Sequence, residues 1–340
     1  MAFGHSQILL EANGPGTTYE EINAVLAPGY NAVEVPDCAH NAFGRHIDEV
    51  FDNELNKAVF RFFAHVTPDN DRCLNFDRQR TEIKTYDQSP DELLATFGET
   101  VEYNWKFKIP DNFQVSSNFT HVHQIKSVGG PFASIPMVTL TLRKGTPDRL
   151  ELRYTPTNNQ TTIATVDLDL LRGEWLEVTE NITYLNSGNY TINIRKISDN
   201  ASLLSYTNNM DTWQDGADFS RPKWGIYRSL NNASDLQDEE VLFADFSIME
   251  IETLDVSNFS NQTEAISLST NPVKDILSFK NFRTNDYDDI LVYDINAKQI
   301  DITGRLDNNR LKVSGLDSGL YFIIITEENR LAKVLKFIKE

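Results

Sequence analysis

Residues 137–155 read MVTLTLRKGTPDRLELRYT, and this stretch decides the fold class. Val138, Leu140 and Leu142 alternate with Thr139, Thr141 and Arg143; after the turn, Leu150 and Leu152 alternate with Arg149, Glu151 and Arg153. Period-two alternation places apolar side chains on one face of an extended chain. Lys144-Gly-Thr-Pro-Asp148 has the composition of a turn between two strands. The same texture recurs in YNWKFKIP (Tyr103–Pro110), WLEVTENITY (Trp175–Tyr184), YTINIRKI (Tyr190–Ile197) and VLFADFSIMEIE (Val241–Glu252). Helical signals are few. Tyr19–Ala27 reads as a short helix, and Ser89–Phe97 reads as another, with Ser89 as N-cap and Pro90 at its first turn. The expectation is an all-β sandwich or jelly roll of about 240 residues.

The chain has 340 residues, with 50 Asp and Glu against 31 Lys and Arg, a formal net charge of −19. Hydrophobic residues at 40% and aromatics at 11% supply a core and exclude general disorder. The charge excludes a general nucleic-acid binder, which needs a cationic surface. No apolar run reaches the length of a membrane span. Two cysteines, Cys38 and Cys73, exclude a disulfide-dense scaffold and a multi-cysteine zinc site. In a secreted chain they can form one bridge, which stabilises by about 2–4 kcal/mol; the alternative is two unpaired core residues.

Near Thr253 the texture changes. LDVSNFSNQTEAISLSTNP is polar and short of large core residues, so residues 253–270 read as a linker. A second compact β unit follows, and it resembles the C-terminal sorting domain of the type IX secretion system of Bacteroidota. The matching stretches are NPVKDILSF (Asn271–Phe279), VYDINAKQI (Val292–Ile300), LDSGLYFIII (Leu316–Ile325) and KVLKFIK (Lys333–Lys339). The resemblance covers residues 271–340. It implies export by that machinery, then release or attachment at the cell surface. The opening MAFGHSQILLEANGPG has no signal-peptide character. Taken alone it suggests a cytoplasmic chain; with the sorting resemblance, the expectation is a signal removed and a Met added.

Three strands of the first unit carry chemistry. In FDRQRTEIKTYD (Phe76–Asp87), Arg80, Glu82, Lys84 and Tyr86 share one face. In NFTHVHQIKSVGG (Asn118–Gly130), His121 and His123 are expected on one face, and Gln124 and Lys126 on the other. In RPKWGIYRS (Arg221–Ser229), Lys223, Gly225 and Tyr227 point one way, and Gly225 marks a close approach by a ligand or another backbone. With Arg228, these residues read as a cationic groove in an anionic protein, which suits an anionic ligand. His65, ending the aromatic strand before VTPDND, is a further proton-transfer candidate.

The order of these motifs, over residues 40–248, resembles the jelly-roll polysaccharide lyases. In alginate lyases of that fold the strands carry Arg-x-Glu-x-Arg, Gln-Ile-His and Tyr-x-Lys-x-Gly-x-Tyr. Here they are Arg80-Thr-Glu82-Ile-Lys84, Gln124-Ile-Lys126 and Lys223-Trp-Gly225-Ile-Tyr227. The closer likeness is to the glucuronan lyase and heparinase branches. The resemblance implies an all-β, concanavalin-like jelly roll over residues 8–252, followed by a small Ig-like β-sandwich. It implies β-elimination on a uronate polymer, glucuronan-like first. Arg80, Gln124 and Lys126 would neutralise the uronate carboxylate. Glu82, Lys84, Tyr86, Lys223 and Arg228 would line the site. Tyr227 would be the acid and a candidate base, with Lys223 lowering its pKa; His65 and His123 are the other candidate bases. Two departures stand out. Lys126 replaces the alginate-type His, and Lys84 replaces an Arg and its bidentate geometry. No cofactor is expected to be required, although Asp245 with the acidic loop Asp235–Glu240 could hold a structural Ca²⁺. The expected partners are an anionic polysaccharide and the secretion machinery, with no nucleic acid and no membrane span, and the chain is expected to be a monomer. The competing readings are a non-catalytic carbohydrate-binding module and a jelly-roll glycoside hydrolase, the latter requiring two carboxyl groups across the groove.

Overall fold

A computed structural model describes residues 7–16, 18–251, 266–282, 289–296, 298–302, 304–327 and 330–340. The chain divides into two units, Met1–Thr253 and Leu254–Glu340. In the first, the elements are β1 (Ile8–Leu10), α1 (Thr18–Leu26), β2 (Val33–Glu34), β3 (Ile47–Asp52), β4 (Lys57–Ala64), β5 (Arg78–Lys84), β6 (Thr100–Lys108) and β7 (Thr120–Val128). They continue as β8 (Val138–Arg143), β9 (Arg149–Tyr154), β10 (Thr161–Asp167), β11 (Leu176–Thr183), β12 (Gly188–Lys196), β13 (Ser202–Met210), β14 (Phe219–Ser229) and β15 (Glu239–Glu250). All six strands expected from alternation are present, with ends shifted by no more than three residues.

Two antiparallel sheets form the jelly roll. The first has the order β13-β12-β11-β6-β15-β4-β3, with β1 added to β15. The second has the order β10-β9-β8-β7-β14-β5-β2. Their facing sides share one apolar core, including Phe60, Trp105 and Phe246 from the first sheet and Ile83, Ile125 and Trp224 from the second. The other side of the second sheet carries the polar motif residues.

The helix expected over Ser89–Phe97 is not formed. Only a 3-10 turn at Asp91–Leu93 appears. The Ser89 hydroxyl accepts from the Tyr86 amide, 2.9 Å away, instead of capping a helix. Leu93 and Ala95 are buried, and Ala95 pairs by backbone with Ser220 at the start of β14. Burial and that bridge outweigh a local cap.

The predicted bridge is present. Cys38 and Cys73, 35 residues apart, are joined. It ties the loop before β3 to the turn between β4 and β5.

The second unit has two four-stranded sheets. One is ordered β16-β17-β21-β20, from β16 (Ser267–Leu268), β17 (Ile276–Lys280), β20 (Leu306–Asp307) and β21 (Arg310–Lys312). The other is ordered β19-β18-β22-β23, from β18 (Asp289–Asp294), β19 (Gln299–Ile300), β22 (Gly319–Glu327) and β23 (Arg330–Lys339). Leu277, Phe279 and Leu311 from one sheet pack with Val292, Ile323 and Phe337 from the other. Strand β16 falls inside the stretch read as linker, while residues 253–265 of that stretch lie outside the described residues.

Gly225 is fixed by the sheet, as expected for a close approach. A Cβ there would lie 2.1 Å from the Thr81 carbonyl oxygen, and its φ is +143°. Both the clash and the φ exclude other side chains. Gly225→Ala is therefore expected to destabilise the first unit by about 3 kcal/mol or more, measured as a lowered urea midpoint.

Candidate active site

Strand register decides which side chains meet on the open face of the second sheet. In β5 and β14, Lys84 lies opposite Lys223, Glu82 opposite Gly225, and Arg80 opposite Tyr227. In β14 and β7, Arg221 lies opposite Lys126, Lys223 opposite Gln124, and Tyr227 opposite His121. Arg80, Glu82, Lys84, Gln124, Lys126, Lys223 and Tyr227 are thus brought to one face of the second sheet, the candidate groove.

A buried ion network forms its floor. Glu82, 1% exposed, accepts from Lys223 at 2.7 Å and also from Arg80 and the Gln124 amide. Glu34 on β2 accepts from Lys223, from Lys84 at 2.9 Å and from Arg72 at 2.7 Å. Arg80 also pairs with Asp71 at 2.9 Å. Burial alone would raise both Glu34 and Glu82, but Lys223 and Arg80 outweigh it and hold both below the ordinary carboxylate range. These carboxylates stay ionised, so neither can act as the proton-donating acid of a glycoside hydrolase.

Lys126 stands apart. It is the one cation on this face with no hydrogen-bond or ion-pair partner among the described residues. Burial, then Lys223, Arg221 and Arg80, push its pKa down to about 8. Beside it, Arg221 donates to the Thr85 carbonyl at 2.7 Å and has no carboxylate partner among the described residues. Lys84 lies over the Tyr86 ring at the end of β5, 4.9 Å from its centroid.

Tyr227 is partly exposed. Arg78 donates to its hydroxyl at 3.0 Å, and the Arg80 guanidinium lies 3.7 Å from its ring centroid. The expected neighbour, Lys223, is instead taken up by Glu34 and Glu82.

The two histidines of β7 do not share a face. Pairing slips by one residue between His121 and His123, so Val122 and His123 both turn inward. His123 is fully buried beside Trp105 and bonds Glu180 of the first sheet at 2.8 Å. It cannot be the base of the groove. His121 faces the groove instead, against Phe119 and Tyr227. Burial lowers its pKa to about 3, opposed by Glu82 and reinforced by Arg143, Arg80 and Arg153, so its imidazole is neutral.

Arg228 also departs from expectation. It is fully buried, donates to Gln79 and to the Ala64 carbonyl, and does not line the groove. Its position next to Tyr227 in an alternating strand turns it inward. Asp245 is held by Lys57 and Lys106, each at 2.6 Å, and joins no group of three or more ligand atoms among the described residues. Asp235 pairs with Lys144 at 2.8 Å, and Asp238 accepts from the Val66 amide at 2.7 Å. His65 lies at the end of β4, bonded to Asp69 at 3.0 Å, and sits on no strand of the groove.

Sequence reading missed Glu34, Asp71, Arg78 and Arg221. Arg78 and Arg221 both stand in quoted motifs, Arg78 two residues before Arg80 on β5 and Arg221 opposite Lys126, and their places follow from alternation and strand pairing. Glu34 and Asp71 come from outside those motifs.

Residues 55–246 match the family described as polysaccharide lyase, and residues 270–340 match the secretion system C-terminal sorting domain. The latter supports secretion or attachment at the cell surface. No helix of the described residues is long and apolar enough to cross a membrane. Among solved structures, the chain is similar to the endo-β-1,4-glucuronan lyase of the fungus Trichoderma reesei, at 17% identity over 64% of this chain and 86% of that one, with a TM-score of 0.42. It is also similar to the marine alginate lyase of Aplysia kurodai, at 13% identity over 72% and 98%, with a TM-score of 0.47. No curated protein matches the chain.

Removing one member of the floor leaves buried charge uncompensated. Glu82→Gln is expected to destabilise the first unit by about 3–5 kcal/mol, read from chemical denaturation.

Proposed function

Because the chain belongs to the polysaccharide lyase family, we propose that it cleaves a uronate-containing, glucuronan-like polymer by β-elimination in the groove of the second sheet. The observation that carries this reading is Lys126, a cation without a partner in a groove whose other cations are already engaged. A half-buried ammonium with no partner is ready for an anion. The uronate carboxylate is the anionic group such a polymer presents at each residue.

In this reading Lys126, with Arg221 beside it, neutralises the carboxylate and acidifies the proton at C5. Arg80 and Gln124, assigned that task from the motif, are engaged by Asp71 and Glu82 and hold the floor instead. Tyr227 moves the protons. Starting as phenolate, its oxygen takes the C5 proton; the freed pair forms the C4–C5 double bond as the C4–O bond breaks, and the phenol so formed gives its proton to the leaving oxygen and returns to phenolate. Arg78 on its oxygen and Arg80 over its ring stabilise the negative charge of that phenolate before and after the transfer. His121 packs against this ring as a neutral group.

The preference for a glucuronan-like polymer over alginate rests on Lys126 and Lys84. Lys126 stands where the alginate-type motif has its His, and Lys84 where it has an Arg, whose bidentate fork a Lys replaces with a point charge.

Incubation with glucuronan, alginate, ulvan, heparin and pectate tests the reading through the ultraviolet absorbance of the unsaturated uronate. A rise with glucuronan is expected, and a flat trace across all five with folded protein would refute it. Tyr227→Phe is expected to lower kcat by about 100- to 10,000-fold while the polymer still binds. Lys126 is cationic below about pH 8 and loses its charge above it, so KM is expected to rise as pH passes through 8. Lys126→Arg keeps the charge, and its KM is expected to stay level over the same interval.

A further inference from the structure

Three of the six histidines of the chain converge at a place the groove does not use. His40 Nδ1 lies 2.9 Å from Asp69 Oδ1, His46 Nε2 lies 3.1 Å from the same oxygen, and His65 Nδ1 lies 3.0 Å from Asp69 Oδ2. One ligand atom from each of the four residues falls within 4.8 Å of all the others. His46 and Asp69 have side chains 0% exposed, while His40 and His65 are 21% and 16% exposed. None of the four stands on a strand of the second sheet.

The other nitrogen of His46 makes this more than a histidine cluster. His46 Nδ1 lies 2.7 Å from Asp37 Oδ1, and Asp37 is itself held by the Tyr19 hydroxyl at 3.2 Å. Both ring nitrogens of His46 point at carboxylates, Nδ1 at Asp37 and Nε2 at Asp69, so a cation bound beside Asp69 would take the place of a proton on Nε2 while Asp37 still holds Nδ1–H. A carboxylate behind a histidine is the arrangement that fixes the tautomer of a metal ligand. The rest is braced in the same way. The His65 amide donates to Asp69 Oδ2 at 2.7 Å, and Gln79 donates to the His65 carbonyl. The Phe43 ring lies against all three imidazoles, 4.3–5.3 Å between centroids.

We propose that His40, His46, His65 and Asp69 form a closed, tetrahedral site for a divalent transition metal, zinc in the first place. Three imidazoles and one carboxylate suit zinc, whereas calcium and magnesium take oxygen ligands. Four protein ligands leave no open position, so the role is structural. Zinc bonds of about 2.0–2.2 Å require the cage to contract, and His40, on a loop and the most exposed of the four, is the one free to move. The metal would join the loop before β3, the end of β4 and the turn that carries Asp71, the partner of Arg80. It would thus act beside the Cys38–Cys73 bridge, and His65 would serve as ligand and not as base.

Tag-free protein, stripped with dipicolinate and returned to metal-free buffer, tests this by calorimetric titration with ZnCl₂ and by metal analysis. One zinc per chain, with a raised Tm and a tetrahedral visible spectrum when Co²⁺ is substituted, is expected. Asp37→Asn replaces none of the four ligands and is expected to weaken zinc binding by about 10- to 100-fold with the circular dichroism unchanged. His40→Ala is expected to weaken it further. The proposal is overturned if stripped wild-type protein that melts cooperatively takes up no stoichiometric zinc. It is equally overturned if His40→Ala, still folded, binds zinc as the wild type does.

Discussion

The Glu82 carboxylate is the joint on which the groove depends. It is buried, and it holds together three strands: its own β5, β14 through Lys223, and β7 through Gln124. A buried carboxylate is unfavourable unless its charge and its lone pairs are met. Here Arg80 and Lys223 meet the charge, and Gln124 adds a donor. Directly across from it stands Gly225, whose missing side chain lets β14 approach the β5 backbone. The glycine and the carboxylate are two parts of one arrangement.

That arrangement changes what the motif residues can do. Arg80, Lys84, Lys223 and Gln124 look like ligand binders when read along the chain. In the fold they neutralise Glu34, Glu82 and Asp71, which come from β2, β5 and a loop. The positive charge of the motif is therefore largely spent inside the sheet. What is left for a ligand is the charge that finds no carboxylate, on Lys126 and Arg221, together with the partly exposed hydroxyl of Tyr227.

Strands were legible because alternation reports a sheet with one apolar face, and most of β6, β11 and β12 is of that kind. The small second sandwich was legible from the order of its motifs. The site was legible only where alternation stays strict. In β5 and β14 it does, and Arg80, Glu82, Lys84, Lys223 and Tyr227 fall together as expected. In β7 one extra residue relative to β8 changes the outcome on one side of the slip only: His121 is moved to the face of Gln124 and Lys126, while His123 stays on the opposite face, as alternation with Gln124 requires. Arg228 fails differently: its charge suggested the groove, but alternation placed it inside, where Gln79 and a carbonyl satisfy it. Ser89 had the chemistry of a cap and used it on a turn. The convergence of His40, His46 and His65 had no local signal at all. It is produced by the pairing of β3 with β4 and by the Cys38–Cys73 bridge, which are both long-range facts.

The overall charge bears on how a polyanion reaches such a groove. At −19 the protein repels an anionic chain at long range. At physiological ionic strength that repulsion is screened beyond about 8 Å, so it slows approach more than it opposes contact. Inside the groove screening is weak, because the floor is buried. There the balance is set by single groups and not by the net charge. A floor whose ion pairs are already closed is close to neutral, and it neither attracts nor repels strongly. The few unpaired cations then decide where along the groove a carboxylate can rest. An acidic protein can in this way select an acidic polymer, by position and not by bulk attraction.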